Sequence, residues 1–528
     1  MIRIPFLFVF LLILPSHLSL SHDNIKSIKD IPNHFLNTKI LRVFDLTTSI
    51  VKEDIGIRVK NIVQTPISDY YITVADDVHS SIAISSAFSR EGSKETLKMI
   101  KVGHDAINGA YIYKITLPEP LKQQQEVKLG IRYAYTHLLE PLPKRIPQVA
   151  KQHVNFKANM YLLSPYSTSN IKTTLSLPST NYISFQGQDD AGRSDGNNKI
   201  IFGPLESIQP MSNSTMSCHY EYLKPILTIT MLRREMEVSH WGSNLAVEEH
   251  YSLRHDGARL ETEFNRVTYD RSLQVHDMTN ILKQLVFDLP AGSSDVYYRD
   301  EVGNISTSNF RNEADKSVLE LIMRFPIFGG WKTSWYHGYN VPLSGFMRKS
   351  NDKYILQVNF IENVQDMIVD NAEIKIILPE GARDVEWHTH DLLEMESIKE
   401  STHFTYFDST GRPAITFKKS NVIKSHQHPI LISYKYSMYH FFRKPLIVTG
   451  VLFGICIISV ALSRVSFTIH TKQEEEEEEE TLSLLNQNKS KKKEESESSW
   501  GRKVIKDIQS VEERKSGNQP KIRRKRAK

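Results

Sequence analysis

Eighteen consecutive uncharged residues, Pro445 to Leu462 (PLIVTGVLFGICIISVAL), lie between Arg443-Lys444 and Arg464. As a helix rising 1.5 Å per residue this run covers ~27 Å, just short of the ~30 Å hydrocarbon core of a bilayer. Arg464 can snorkel and draw Val465 to Ile469 into one interface, while Tyr439, Phe441 and Phe442 suit an aromatic belt at the other. The run predicts a single membrane-spanning helix over 443–466. Gly450 and Gly454 form a small-xxx-small pair through which such a helix can pack on another.

The N-terminus carries a shorter apolar run. Arg3 precedes nine apolar residues, Phe6 to Leu14, then Pro15 and the small residues of Ser19-Leu20-Ser21. This is the layout of a cleavable secretion signal, expected over 1–21. It sends the chain after about residue 22 into the lumen and leaves 467–528 in the cytosol. That tail, counted from Arg464, holds 17 basic and 13 acidic residues, a net of +4 in a chain of net +5. The lumenal part is nearly neutral, so the basic pI gives it no nucleic-acid footprint. Low complexity, with seven glutamates from Glu474 to Glu480, predicts a disordered tail. Its terminal basic cluster could serve retrieval in the cytosol or attraction to anionic lipid or ribosomal RNA, or could simply be solvated.

Cys218 and Cys456 fall on opposite sides of the expected membrane boundary and cannot pair. The lumenal part must therefore hold together by its core, and Cys218 reads as a small buried hydrophobe. Helical periodicity is scarce there. Ile40–Leu46, Tyr70–Val74, Val127–Tyr135, Leu227–Met231 and Ile374–Leu378 read as strands. Leu-Pro pairs at 117–118, 177–178, 289–290 and 378–379 read as strand ends, since proline gives nothing to a ladder. Asp256-Gly257 and Glu380-Gly381 read as turns, and Glu140 to Pro147 as a proline-stiffened connection. The expected architecture is mainly β, with two tandem β-sandwich-like lumenal domains, 22–228 and 229–442.

Candidate chemistry is sparse. His388-Thr389-His390 and His426-Gln427-His428 place alternate histidines on one strand face, as metal ligands can be placed, but no carboxylate or cysteine cluster completes either set. Asp76-Asp77 and Asp189-Asp190 read as solvated turn pairs, and His250 and His255 as surface residues beside a strand. Neither a zinc-peptidase helix motif, a nucleophile elbow, a phosphate loop nor a dinucleotide fingerprint is present. Asn213-Ser214-Thr215 and Asn304-Ile305-Ser306 are lumenal N-glycosylation sequons; Asn488-Lys489-Ser490 lies in the tail and should stay bare.

Three long strings carry a resemblance: Glu237–Glu249 (EVSHWGSNLAVEE), Asp295–Ser308 (DVYYRDEVGNISTS) and Arg324–Pro342 (RFPIFGGWKTSWYHGYNVP). With Lys375–Ala382 and Gly411-Arg412-Pro413, they resemble the ribophorin I family from 22 to about 470. The resemblance implies a non-catalytic subunit of the oligosaccharyltransferase complex of the endoplasmic reticulum membrane, with no catalytic residue, cofactor or metal of its own. It implies as partners the catalytic and small membrane subunits, nascent secretory polypeptides and the translocon, and Asn304 as the glycosylated position. Animal members contact the ribosome through a longer, helical cytosolic region; this tail is short and highly charged, and that contact is not expected. The competing readings are a membrane-anchored cargo or adhesion receptor and an anchored lumenal hydrolase or glycosyltransferase.

Overall fold

The computed structural model describes residues 25–90, 95–187, 192–275, 279–362, 366–406, 408–465 and 476–493. The expected signal at 1–21, Asp189-Asp190 and the terminal basic run lie outside the described residues. The chain divides into two compact units, 1–444 and 445–528.

The first unit is built almost wholly of strands. Its N-terminal half holds β1 (Phe35–Asp45), β2 (Val51–Asn61), β3 (Ile67–Ala75), β4 (Ile82–Ser89), β5 (Thr96–Leu97), β6 (Met99–Asp105), β7 (Ala110–Leu121), β8 (Glu126–Tyr135), β9 (Leu139–Pro141), β10 (Arg145–Ile146), β11 (His153–Asn159), β12 (Thr168–Ser176), β13 (Tyr182–Gln186), β14 (Gly192–Ser194), β15 (Lys199–Ile208) and β16 (Thr215–Glu221). The C-terminal half holds β17 (Leu227–Ser239), β18 (Asn244–His255), β19 (Arg259–Leu260), β20 (Leu282–Pro290), β21 (Ser294–Asp300), β22 (Asn309–Asn312), β23 (Lys316–Ile327), β24 (Lys332–Pro342), β25 (Met347–Ser350), β26 (Lys353–Asn359), β27 (Ile368–Ile377), β28 (Arg383–Thr389), β29 (Ser397–His403), β30 (Arg412–Val422) and β31 (Pro429–Lys435). The five runs expected as strands fall on β1, β3, β8, β17 and β27.

The two halves repeat one topology. The N-terminal half has an eight-stranded sheet β14-β15-β12-β1-β2-β8-β4-β5, a four-stranded sheet β13-β16-β11-β9 and a three-stranded sheet β3-β7-β6. The C-terminal half has β29-β30-β27-β17-β18-β24-β21, β28-β31-β26-β25 and β20-β23-β22. Taken in chain order, each strand of the second set occupies the place of its counterpart in the first; only β5, β10 and β19 have none. Even the one parallel neighbour in each large sheet is preserved, β1 with β12 and β17 with β27. Register carries the match to single residues. Phe156 lies between Leu139 and Cys218, and Cys218 in turn faces Phe185; in the equivalent places Leu356 lies between Met347 and Ile432, and Ile432 faces Trp387.

Strand alternation places every second side chain inward, and each half closes its own apolar core, one from Ile31 to Ile226 and one from Leu227 to Tyr434. A small seam of Ile50 and Ala134 against Ile368 and Ile423 joins the halves. Around it, Ser49 Oγ donates to the Asp366 carbonyl at 2.7 Å and His137 pairs with Asp370 at 2.8 Å. The proline-rich stretch 140–147 is no free connection: Glu140 and Pro141 pair with β11, and β10 runs parallel to β19 of the other half. The Asp256-Gly257 turn docks there too, the Ala258 N–H donating to buried Gln152 at 2.9 Å. A Cβ at Gly257 would meet Gln152 Oε1 at 2.4 Å, so the joint needs glycine.

One Leu-Pro pair does not end a strand. β7 continues through Leu117-Pro118 to Leu121, because its register slips between Asp69↔Thr116 and Ile67↔Leu121. Pro118 and Pro120 sit in that slip, where no ladder hydrogen bond is owed.

Helices are few: α1 (Asp76–His79), α2 (Arg266–Val275) and α3 (Met438–Arg464). The last is 27 residues, long and apolar enough to cross a membrane. In the tail, residues 476–493 are helical where disorder was expected, and exposed on every side. Glutamates at its start and lysines at its end complement the helix dipole, and its residues are good helix formers. It builds no core.

Candidate functional site

The inward faces of β17 and β18 carry charge as well as apolar groups. Leu232, Arg234, Met236 and Val238 share one face of β17, so Arg234 is buried while Arg233 is exposed. Arg234 Nε lies 2.7 Å from Glu249 Oε1, its Nη2 3.2 Å from Glu362, and its Nη1 donates to the Asn359 carbonyl at 2.7 Å. Tyr251 donates to Glu249 at 2.7 Å, and His337 Nε2 stands 3.3 Å from the same carboxylate. Burial pushes the Glu249 carboxyl upward, but Arg234, His337 and Tyr251 together hold it down at about 2. The N-terminal half has a smaller version. Arg42 Nε donates to Glu53 at 2.7 Å and its Nη1 to the Asn159 carbonyl at 2.8 Å, while Tyr135 donates to Glu53 at 2.7 Å. Asn159 and Asn359 are the equivalent last residues of β11 and β26. Only about 10 Å³ of free space adjoins Arg234 and Glu362, room for about one water and for no substrate. These networks are architecture.

The residues flagged from sequence scatter, with one exception. His390 and His428, one ring from each histidine motif, stack at 4.2 Å and 9°. His388 is exposed, and His426 is buried with its Nδ1 accepting from the Ile423 N–H at 3.0 Å. Among the described residues no group of three His, Cys, Asp or Glu is arranged to hold a metal ion. Asp76 and Asp77 open α1 rather than a turn, and Asp76 pairs with His104 at 2.9 Å. His250 is exposed beside Glu248. His255 is not a surface residue. It follows Tyr251 and Leu253 on the inward parity of β18, accepts from the Gly257 N–H at 2.9 Å through Nδ1, and donates from Nε2 to the Asn280 carbonyl at 2.9 Å. Burial lowers it to about 4. Cys218 is buried and free, its thiol pushed up to about 12 by burial, and its counterpart in the repeat is Ile432. Gly329-Gly330 makes a tight bend: Gly330 has φ +82°, and a Cβ on Gly329 would strike the Ala258 carbonyl oxygen at 2.0 Å.

The two sequons of the first unit present their asparagines to solvent, Asn213 in the loop before β16 and Asn304 just after β21. The Asn304 loop is tightly made. Asp300 accepts from the N–H groups of Val302 and Gly303 at 3.0 and 2.9 Å and is clamped by Arg324 at 2.6 Å. Arg299 Nε donates to the Oδ1 of exposed Asn304 at 2.7 Å.

A second constellation, which sequence reading missed, grips residues 443 and 444. Buried Asp408 accepts from Lys444 Nζ at 2.6 Å, the Thr405 N–H at 2.8 Å and Arg412 at 3.2 Å. Burial raises the Asp408 carboxyl, but these donors outweigh it and hold it at about 2. Glu380 accepts from the Ser409 and Thr410 N–H groups at 2.9 and 2.7 Å and lies 3.5 Å from Arg443. The available signal was the Arg443-Lys444 pair itself, two adjacent cations directly before the apolar run.

This geometry belongs to a known family. Residues 35–463, from the first residue of β1 almost to the end of α3, match Ribophorin I. The chain belongs to the ribophorin I family. Ribophorin I homology thus takes in both halves of the repeat and the apolar helix, and leaves the tail aside. Among relatives, dolichyl-diphosphooligosaccharide--protein glycosyltransferase subunit 1 of Caenorhabditis elegans is 32% identical over 435 residues, covering 81% of this chain and 72% of that protein. Subunit 1B of Oryza sativa subsp. japonica is 31% identical, covering 80% and 90%, and subunit 1B of Arabidopsis thaliana 31%, covering 82% and 93%. Among solved structures, an M1 zinc metallopeptidase from Deinococcus radiodurans is 13% identical over 39% of this chain and 42% of that one, with a TM-score of 0.23, too low to show a shared fold.

Proposed function

We propose that the chain is a non-catalytic subunit of the oligosaccharyltransferase complex, supporting transfer of a preassembled oligosaccharide from dolichyl diphosphate to asparagine in Asn-X-Ser/Thr. The observation that carries this is the match over four-fifths of the chain to relatives named as subunit 1 of that glycosyltransferase. The reading places it in the endoplasmic reticulum membrane as a single-pass type I protein, with 22–442 lumenal and 467–528 cytosolic. Its lumenal part is two domains dividing near 228, which scaffold the catalytic subunit, contact the small membrane subunits and present nascent polypeptide near the translocon. Asn304 and Asn213 carry glycans.

The non-catalytic role is supported by what the buried carboxylates do. Glu53, Glu221, Glu249, Glu380 and Asp408 are each committed to an arginine or lysine partner, and Asp105 to the N–H groups of Ile28, Ile107 and Asn108, leaving none of them as a free acid or base. The test is purification of the tagged chain in gentle detergent, with sequon occupancy on secreted proteins followed after its depletion. Co-purification with the catalytic subunit and under-glycosylation are expected. Unchanged occupancy and no such partner overturn the assignment, and a lumenal part open to protease in sealed microsomes overturns the topology.

A further inference from the structure

Large aromatic side chains in a folded domain are seldom left open to water in a group, and a group of them marks a contact surface. Among the described residues of 25–444, the four most exposed aromatic rings are Tyr406 (93%), Tyr439 (67%), Trp241 and Phe404 (64% each). Phe442, at the same end, follows at 46%, and away from it none exceeds Phe325 at 45%. Three separate segments bring these four to one end of the C-terminal half: the β17–β18 turn, the β29–β30 turn and the first turns of α3.

Contacts tie the segments together. Trp241 packs on Phe441 with ring centroids 5.3 Å apart, and Phe441 on Phe442 at 5.0 Å. The β29–β30 turn is held to the same place by Asp408 on Lys444 and by Arg443 donating to Thr410 at 3.3 Å. The acids of this end are neutralised where they stand, Asp408 and Glu380 as described and Glu237 by Arg412. What faces outward is therefore aromatic. Tryptophan and tyrosine, apolar in body and polar at the tip, prefer the headgroup layer over both water and hydrocarbon. Residue 442 is followed within three residues by the apolar run of α3, so this end of the domain is covalently continuous with the segment read as the membrane span.

We propose that Trp241, Phe404, Tyr406 and Tyr439 form a lipid-interface surface, by which the C-terminal half of the lumenal part lies directly on the bilayer through two hairpin turns in addition to its span. This rests on the reading that α3 crosses the membrane. The occupant is the headgroup layer. A protein partner offers no argument of comparable strength, since the span itself brings lipid to this end.

The experiment uses the full chain in bilayer nanodiscs whose lipids carry bromine either high or low in the acyl chain. Subtracting the emission of Trp241→Phe, which keeps a ring against Phe441, isolates the Trp241 signal. A fluorophore on Cys456, the cysteine within the apolar run, monitors insertion of the span. Loss of the Trp241 emission with high-placed bromine, together with quenching of the Cys456 probe by low-placed bromine, is the expected result. A quenched Cys456 probe with Trp241 unquenched and red-shifted places the ring in water and overturns the proposal while leaving the span intact. Trp241 blue-shifted but unquenched means that protein covers it, which overturns the proposal equally. An unquenched Cys456 probe removes the span, and the proposal falls with it.

Discussion

The two halves of the first unit repeat the same sheets and differ in what they bury. The buried arginine of the N-terminal half, Arg42, meets one carboxylate, Glu53; that of the C-terminal half, Arg234, meets Glu249 and Glu362, and His337 joins them. Among the described residues the three fully buried histidines, His255, His337 and His426, all belong to the C-terminal half. The shared topology therefore rests on apolar alternation and register, which both halves keep, and not on any particular polar network, which they do not. Of the three histidines, His255 sits at the joint made by Asp256-Gly257, and the C-terminal half alone adds the grip on Arg443 and Lys444.

That contrast can be broken by substitution. Arg234→Met strands two buried carboxylates and is expected to cost roughly 3–5 kcal/mol, as loss of one partner of a buried ion pair does. Arg42→Met strands only Glu53, which keeps the Tyr135 hydroxyl, and is expected to cost less. Urea unfolding of the full chain in detergent gives both values, and the reverse order would mean that the cores are not organised as described.

Acidification sharpens it further. His255 and His426 are each lowered to about 4, against 6.5 for an exposed histidine, with burial as the main cause. A depressed histidine favours the fold while neutral, so its contribution is complete above pH 6.5 and is lost as pH falls toward 4. At pH 5 the loss is roughly 2 kcal/mol for each. Glu249, also depressed, contributes fully down to about 4.5 and loses stability only below that. Between pH 6.5 and 4.5 the histidine effect is therefore isolated, and hydrogen exchange should show the C-terminal half losing protection first. His79 and His153 of the N-terminal half shift in the same direction, but they are only partly buried.

Cys218→Val moves the residue toward its counterpart Ile432 and is expected to change stability by less than about 1.5 kcal/mol, with the native thiol unreactive toward maleimide. Smallest of all is the effect on stability of Asn304→Gln or Asn213→Gln, one sequon in each half. Each should remove one glycan's shift on a gel and leave the urea midpoint where it was.

The strands and the apolar helix were legible because period-2 alternation and an uninterrupted apolar run are local signals. Burial of Arg234 and His255 was legible in principle: each sits on the inward parity of a strand whose other inward members are mostly apolar, and reading His255 as a surface residue ignored that parity. The repeat was not legible, because it preserves hydrophobic class and not identity, as in Phe156 against Leu356, Leu139 against Met347 and Cys218 against Ile432. Nor was the grip of Asp408 and Glu380 on Lys444 and Arg443. It joins turns dozens of residues apart, and nothing in the local composition of either marks the other. Pro118 misled for a related reason: whether a proline interrupts a strand depends on register with a neighbour some fifty residues earlier.

A tandem repeat of one sheet carries a hazard during synthesis, because each half offers the other's strands a vacant slot of the right geometry. β12 must return about 130 residues to lie parallel to β1, and β17 presents the same parallel edge to it. The order of the chain removes the conflict. All strands of the first half, from Phe35 to Glu221, precede β17, so on emerging from a ribosome the first sheet can be completed before its rival exists. Only β10 has to wait, its partner β19 lying in the second half, and so the joint between the halves closes last.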